Sequence, residues 1–126
     1  MTTTSRWKRY VCLAFLLLSA STVYAHAVLV KALPAQDAVL ASSPPAISLW
    51  FNEALEAEFS SVTLSDAAQR VVTVGALQSM PDNGLSVAID STLPAGTYAV
   101  RYRVLSVDGH IVEGRFNFRI EARGAP

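Results

Sequence analysis

Two stretches decide the fold: Tyr98-Ala-Val-Arg-Tyr-Arg-Val104 and Arg115-Phe-Asn-Phe-Arg-Ile120. In the first, Tyr98, Val100, Tyr102 and Val104 alternate with Arg101 and Arg103; in the second, Phe116, Phe118 and Ile120 alternate with Arg115, Asn117 and Arg119. A period of two places successive side chains on opposite faces, so each stretch is a strand with an apolar inner face and a basic outer face. They read as neighbours. Working outward, Ile47, Leu49 and Phe51 alternate with Ser48 and Asn52, with Trp50 on the second face. Phe59 to Leu64 and Val71 to Leu77 are further β-rich runs separated by the turn region 66–69, and Leu85, Val87 and Ile89 alternate after the turn signal Pro81-Asp-Asn-Gly84. The stretch 54–58 is long enough only for a helical turn between strands. About seven short strands in one chain predict an all-β fold, an immunoglobulin-like antiparallel β-sandwich or Greek-key barrel. Leu93-Pro-Ala-Gly-Thr-Tyr98 supports that choice, because it places a tyrosine just inside a strand after a tight turn, as a tyrosine corner does.

The first 25 residues have a different character. Arg6, Lys8 and Arg9 precede an apolar run from Val11 to Leu18, and small residues follow as far as Ala25. This is the three-part pattern of a secretory signal peptide, and the run is well short of the roughly twenty residues that a spanning helix needs. Val23 and Ala25 occupy the positions three and one before a cut between Ala25 and His26. The expected division is therefore 1–25 as a cleaved leader and 26–126 as one β-domain, with no stable membrane insertion after cleavage. The chain's single cysteine, Cys12, is lost with the leader, so the remainder has no disulfide and no thiolate ligand. Seven Lys/Arg then face ten Asp/Glu, a formal charge of −3. A mildly acidic chain without a basic cluster excludes nucleic acid as the expected partner.

The chain has two histidines. His110 ends Ser106-Val-Asp-Gly-His110, between the two longest strands, and Asp108 lies two positions before it. If that segment is extended, Asp108 and His110 point the same way and converge on one ion; alone, Asp-Gly is also an ordinary hairpin turn. His26 adds weight. Cleavage before it would expose an α-amine beside its own imidazole, two nitrogen donors held together. With nitrogen from His110 and oxygen from Asp108, and with Glu53 as a further carboxylate, the set is tetragonal and nitrogen-rich, which suits Cu(II) over Mg²⁺ and Ca²⁺. The bland alternatives are a frayed terminus at His26 and a solvated turn residue at His110. The arginines at 101, 103, 115 and 119 read as the outer face of solvated strands.

Taken in order, several motifs resemble the CopC-type periplasmic copper-resistance proteins. They are His26, Leu33-Pro-Ala35, Pro44-Pro-Ala-Ile-Ser-Leu-Trp-Phe-Asn-Glu53, Leu93-Pro-Ala-Gly-Thr-Tyr98, Arg103-Val-Leu-Ser-Val-Asp-Gly-His110 and Gly114-Arg-Phe-Asn-Phe118. The resemblance implies an immunoglobulin-like domain that binds Cu(II) at one end through His26, Asp108 and His110, with Glu53 at the family's glutamate position. It also implies a periplasmic protein that sequesters or delivers copper without catalysing a reaction. The implied partners are an inner-membrane copper permease or a multicopper oxidase. One departure is visible: beyond the leader Met80 is the sole methionine, too few for a thioether-rich Cu(I) site, so the short Cu(II)-only form is expected and Met80 is read as a packing residue. Two rivals remain at this point. A histidine chelate on a β-sandwich also resembles the copper-dependent polysaccharide monooxygenases, but the chain has no evident aromatic platform beyond Trp50 to hold a polymer. A metal-free immunoglobulin-like module would leave both histidines without a role.

Overall fold

The computed structural model of the chain describes residues 26–122. The leader read at 1–25 and the tail at 123–126 lie outside the described residues. Among the described residues nine strands are formed: β1 (Leu29–Leu33), β2 (Val39–Leu40), β3 (Ala46–Phe51), β4 (Ser61–Ser65), β5 (Val71–Val72), β6 (Gln78–Met80), β7 (Gly84–Ala88), β8 (Gly96–Leu105) and β9 (Ile111–Ile120). They assemble as two sheets, β1-β3-β7-β6 and β2-β9-β8-β4-β5, so the architecture is a β-sandwich rather than a closed barrel. Every strand pair is antiparallel except one: β2 runs parallel to β9, with Val39 opposite Arg119 and Leu40 opposite Ile120. Among the described residues, no helix is long and apolar enough to cross a membrane.

The long strands follow their sequence pattern. In β8, Tyr98, Val100 and Val104 are buried and Arg101 and Arg103 exposed; in β9, Phe116, Phe118 and Ile120 are buried and Arg115, Asn117 and Arg119 exposed. Ile47, Leu49 and Phe51 of β3 and Leu85 and Val87 of β7 face them from the other sheet. Each such fully buried aliphatic or aromatic side chain is worth about 1.5–3 kcal/mol of transfer free energy, so facing periodic faces are enough to define one core. The tyrosine corner is present: Tyr98 Oη donates to the Pro94 carbonyl at 2.7 Å, and the ring stacks on Phe118 with centroids 5.5 Å apart. Gly114 sits opposite Tyr102, and a Cβ there would come within 2.2 Å of the phenol oxygen, so only glycine lets that ring lie across β9.

Differences from the sequence expectation lie at short edges. Phe59 does not begin a strand: it ends a 3-10 turn spanning Ala57–Phe59 and is 61% exposed, while the strand starts at Ser61. The single run expected from Val71 to Leu77 is instead β5 followed by irregular chain, and β6 then joins the opposite sheet. Trp50, on the second face of β3, is covered by Lys31, whose Nζ lies 4.8 Å from the ring centroid. Met80, in β6, is half-buried.

Candidate metal centre

Three segments meet at one end of the sandwich. The first is the N-terminal side of β1. Pairing of Leu29 with Phe51 lays residues 26–28 beside the end of β3, and Asn52 fixes them there: Val28 N donates to Asn52 Oδ1 at 2.7 Å and Asn52 N donates to the Val28 carbonyl at 3.0 Å. Ala27 is 2% exposed and anchors the segment, whereas His26 just before it is exposed. The second segment follows β3. It runs along the end of β8, with Glu56 N donating to the Leu105 carbonyl at 2.8 Å, Val107 N donating to the Ala54 carbonyl at 3.1 Å, and an isolated bridge between Leu55 and Ser106.

The third segment is the β8–β9 connection, 106–110. It is a tight turn and not the extended strand that would make Asp108 and His110 point the same way. Ser106 N donates to the His110 carbonyl and Gly109 N to the Ser106 carbonyl, each at 2.9 Å, with Gly109 at φ 90°. Asp and Gly supply this turn for separate reasons, a side chain that accepts from backbone amides and a residue that tolerates positive φ. Asp108 and His110 still converge, by a different route. Asp108 Oδ1 accepts from His110 N at 3.1 Å and stands 3.1 Å from His110 Nδ1. That nitrogen is shielded from solvent although the His110 side chain as a whole is 41% exposed, so the exposed part of the ring lies away from Asp108. A carboxylate against one imidazole nitrogen fixes the ring and raises the donor strength of the other nitrogen.

The His26 ring meets the His110 ring edge to face, with centroids 5.3 Å apart. Glu53 is one step removed. Its Oε1 accepts from the Ser106 hydroxyl, and Ser106 Oγ in turn lies 3.3 Å from Asp108 N, from which it accepts. The backbone amide of His110, above all, holds the Asp108 carboxyl below its ordinary range, which favours its ionised form. Among the described residues, no three side chains of His, Cys, Asp and Glu already stand as a ligating group. His26 and His110 are together and Asp108 is beside His110, but Glu53 is engaged by Ser106. In the full-length chain the nitrogen of His26 is a peptide nitrogen bonded to Ala25, so the amine on which the sequence reading relies is created only by cleavage.

Two residues escaped the sequence reading. Ser106 is 1% exposed and is the buried polar residue that joins Glu53 to the Asp108 turn. Its signal was a small hydroxyl residue two positions before an aspartate where a strand enters a turn, a place where side-chain oxygens collect backbone donors. Asn52, expected only as a strand-end residue, ties down the chain behind His26.

The CopC domain profile matches residues 29–121. The chain is 36% identical to Protein YobA of Escherichia coli K12 over 125 residues, covering 96% of this chain and all of that one. It is 31% identical to Copper resistance protein C of Xanthomonas campestris pv. juglandis over 82% of this chain and 87% of that protein. With Copper transport protein CutJ of Bacillus subtilis it shares 30% identity over 92% of this chain, which spans 22% of that longer protein. Among solved structures, CopC from Methylosinus trichosporium OB3b superposes with a TM-score of 0.73 at 31% identity, over 80% of this chain and 99% of that one. PcoC, a methionine-rich copper resistance protein from Escherichia coli, superposes at 0.70 with 28% identity, over 77% of this chain and the whole of PcoC.

Proposed function

From a chain that belongs to the CopC domain family, we propose a periplasmic protein that binds Cu(II) as cargo, for sequestration or delivery, and catalyses no reaction on it. Residues 1–25 direct export and are then removed, and the new terminus at His26 supplies an amine and an imidazole from one residue. His110 supplies a further nitrogen. Asp108 holds the His110 ring and contributes negative charge, and Glu53 is a more distant carboxylate held through Ser106. The single observation that carries this reading is the meeting of the two histidine rings, 5.3 Å apart, from segments at opposite ends of the described chain.

The chemistry of the donors supports copper. Two imidazoles, an amine and one or two carboxylates form a nitrogen-rich set, for which Cu(II) has the highest intrinsic affinity among divalent first-row ions. Amine and imidazole bind metal only when deprotonated, so protons compete and copper affinity falls on acidification. The implied protein partners, an inner-membrane copper permease or a multicopper oxidase, would take copper from this end of the sandwich.

The test compares protein processed to begin at His26 with protein carrying one extra residue ahead of it, by intact mass and Cu(II) titration. Tight one-to-one binding that is lost on extension supports the amine as a ligand. Equal binding by both forms removes His26 as the anchor and leaves Asp108 and His110 to carry the reading alone.

A further inference from the structure

The outer face of the five-stranded sheet presents side chains in rows, one each from β4, β8 and β9. Successive rows are Ser61, Arg103 and Glu113; Thr63, Arg101 and Arg115; Ser65, Ala99 and Asn117. In the first row Arg103 pairs with Glu113 at 3.3 Å, and further along the face Arg119 pairs with Glu121 at 2.6 Å. The middle row is different. It sets Arg101 directly opposite Arg115, and the arginine ion pairs formed among the described residues use Arg70, Arg103 and Arg119 but neither of these two. Like charges directly opposite on a sheet are destabilising, so the arrangement works against folding unless something else uses it.

Next to that pair, the small side chain of Ala99 leaves a hollow of about 490 Å³. Thr63, Ser65, Asn117 and Gln69 line it together with the two arginines. One carboxylate borders it, Asp66, which is already engaged: Arg70 Nε donates to it at 2.9 Å, and the backbone amides of Ala68 and Arg70 donate to its other oxygen. The positive charge of Arg101 and Arg115 is thus not balanced from within the hollow, on a protein whose remainder is acidic.

We infer that this hollow is a docking site for an extended acidic segment of a partner protein, with Arg101 and Arg115 gripping its carboxylates. Guanidinium forks match carboxylates with paired hydrogen bonds, and the flanking hydroxyls and amides offer further donors and acceptors. Pockets for small molecules enclose most of the ligand, whereas this hollow lies on the outer face of a sheet and is lined as much by polar as by apolar surface. It lies toward the Tyr98 end of β8, so a partner bound here leaves the two histidines uncovered. The inference does not depend on copper binding.

Fluorescence anisotropy of a labelled Asp/Glu-rich peptide, with the isosteric Asn/Gln peptide as control, tests it at low and high salt. The acidic peptide should bind, weaken with salt, and lose roughly tenfold or more in affinity to the Arg101→Gln/Arg115→Gln protein, whose fold is checked by circular dichroism. Arg101→Lys/Arg115→Lys should retain part of the binding, and Arg103→Gln, which removes an arginine already paired, should change it little. The inference is overturned if the acidic peptide does not bind, if the amide peptide binds as well, or if the double Gln variant binds like the parent. Displacement of the peptide by citrate, inorganic phosphate or anionic lipid vesicles at matching charge concentration overturns it too, since the site would then belong to a small anion or a membrane.

Discussion

Strand β8 begins at one kind of structure and ends at another. At its start, Tyr98 is 4% exposed, its ring stacked on Phe118 and its hydroxyl given to the Pro94 carbonyl. Burial, and then the charge of Asp66, push that phenol above its ordinary range, so the hydroxyl remains a donor. At its end, Ser106 is also buried, but the groups beyond it are not: the Asp108 and His110 side chains are 38% and 41% exposed and face each other, and the His110 ring meets that of His26. Both ends use a polar side chain to close a turn. The first spends its polar atom internally, which makes a structural joint, while the second keeps imidazole and carboxylate at the surface and is suited to receive something from outside.

The sharpest separation of the two ends comes from paired substitutions. Phe118→Ala removes a side chain 1% exposed and its stack on Tyr98, and should lower unfolding free energy by about 3–5 kcal/mol, read as the denaturant midpoint; copper binding by the protein that remains folded should be unchanged. His110→Ala should do the reverse. It should leave stability within about 0.5 kcal/mol and weaken Cu(II) by about a hundredfold or more, because even partners one shell outside a metal are worth about 10–100-fold. If His110→Ala binds copper like the parent, the distinction between the ends collapses and the surface histidines are solvated turn residues. Smaller again is Tyr98→Phe, which deletes only the bond to Pro94; about 0.5–1.5 kcal/mol of stability should be lost with no change in copper affinity.

The first end was more legible in the sequence than the second. Period-two alternation in β3, β8 and β9 announces itself because each strand buries one whole face, and the Leu93–Tyr98 segment carries its own turn residues. The edge strands β2, β5 and β6 have only two or three residues each, too few to show a period, and the parallel pairing of β2 with β9 depends on tertiary packing that no local pattern encodes. Asp108 and His110 stand out in the sequence by their spacing, but their geometry does not: the segment reads either as extended or as an Asp-Gly turn, and it is the turn, which brings the two together through the His110 backbone amide. Nor did alternation reveal that Arg101 faces Arg115. Register decides that, and register follows from how both strands fit the core.

The smallest expected effect tests whether the two ends differ in kind or only in exposure. Each has a carboxylate held below its ordinary range chiefly by a backbone amide, Asp66 by that of Arg70 and Asp108 by that of His110. With folded values depressed, both contributions to stability are fully present above the unfolded value of 3.8. They are lost as pH falls through the folded values, because the unfolded chain takes up protons first. Melting temperature followed from about pH 6 to pH 2 should therefore fall in the parent, and fall less steeply in Asp66→Asn and in Asp108→Asn. Because the two sites share no contact, the double variant should show the sum of the two changes. Added Cu(II) breaks the symmetry. An ion that binds only the folded chain raises the melting temperature, and acid removes that increment as protons displace it from its ligands. The copper-dependent increment should persist in Asp66→Asn and shrink in Asp108→Asn. Equal increments in the two variants would mean that Asp108, like Asp66, only closes a turn.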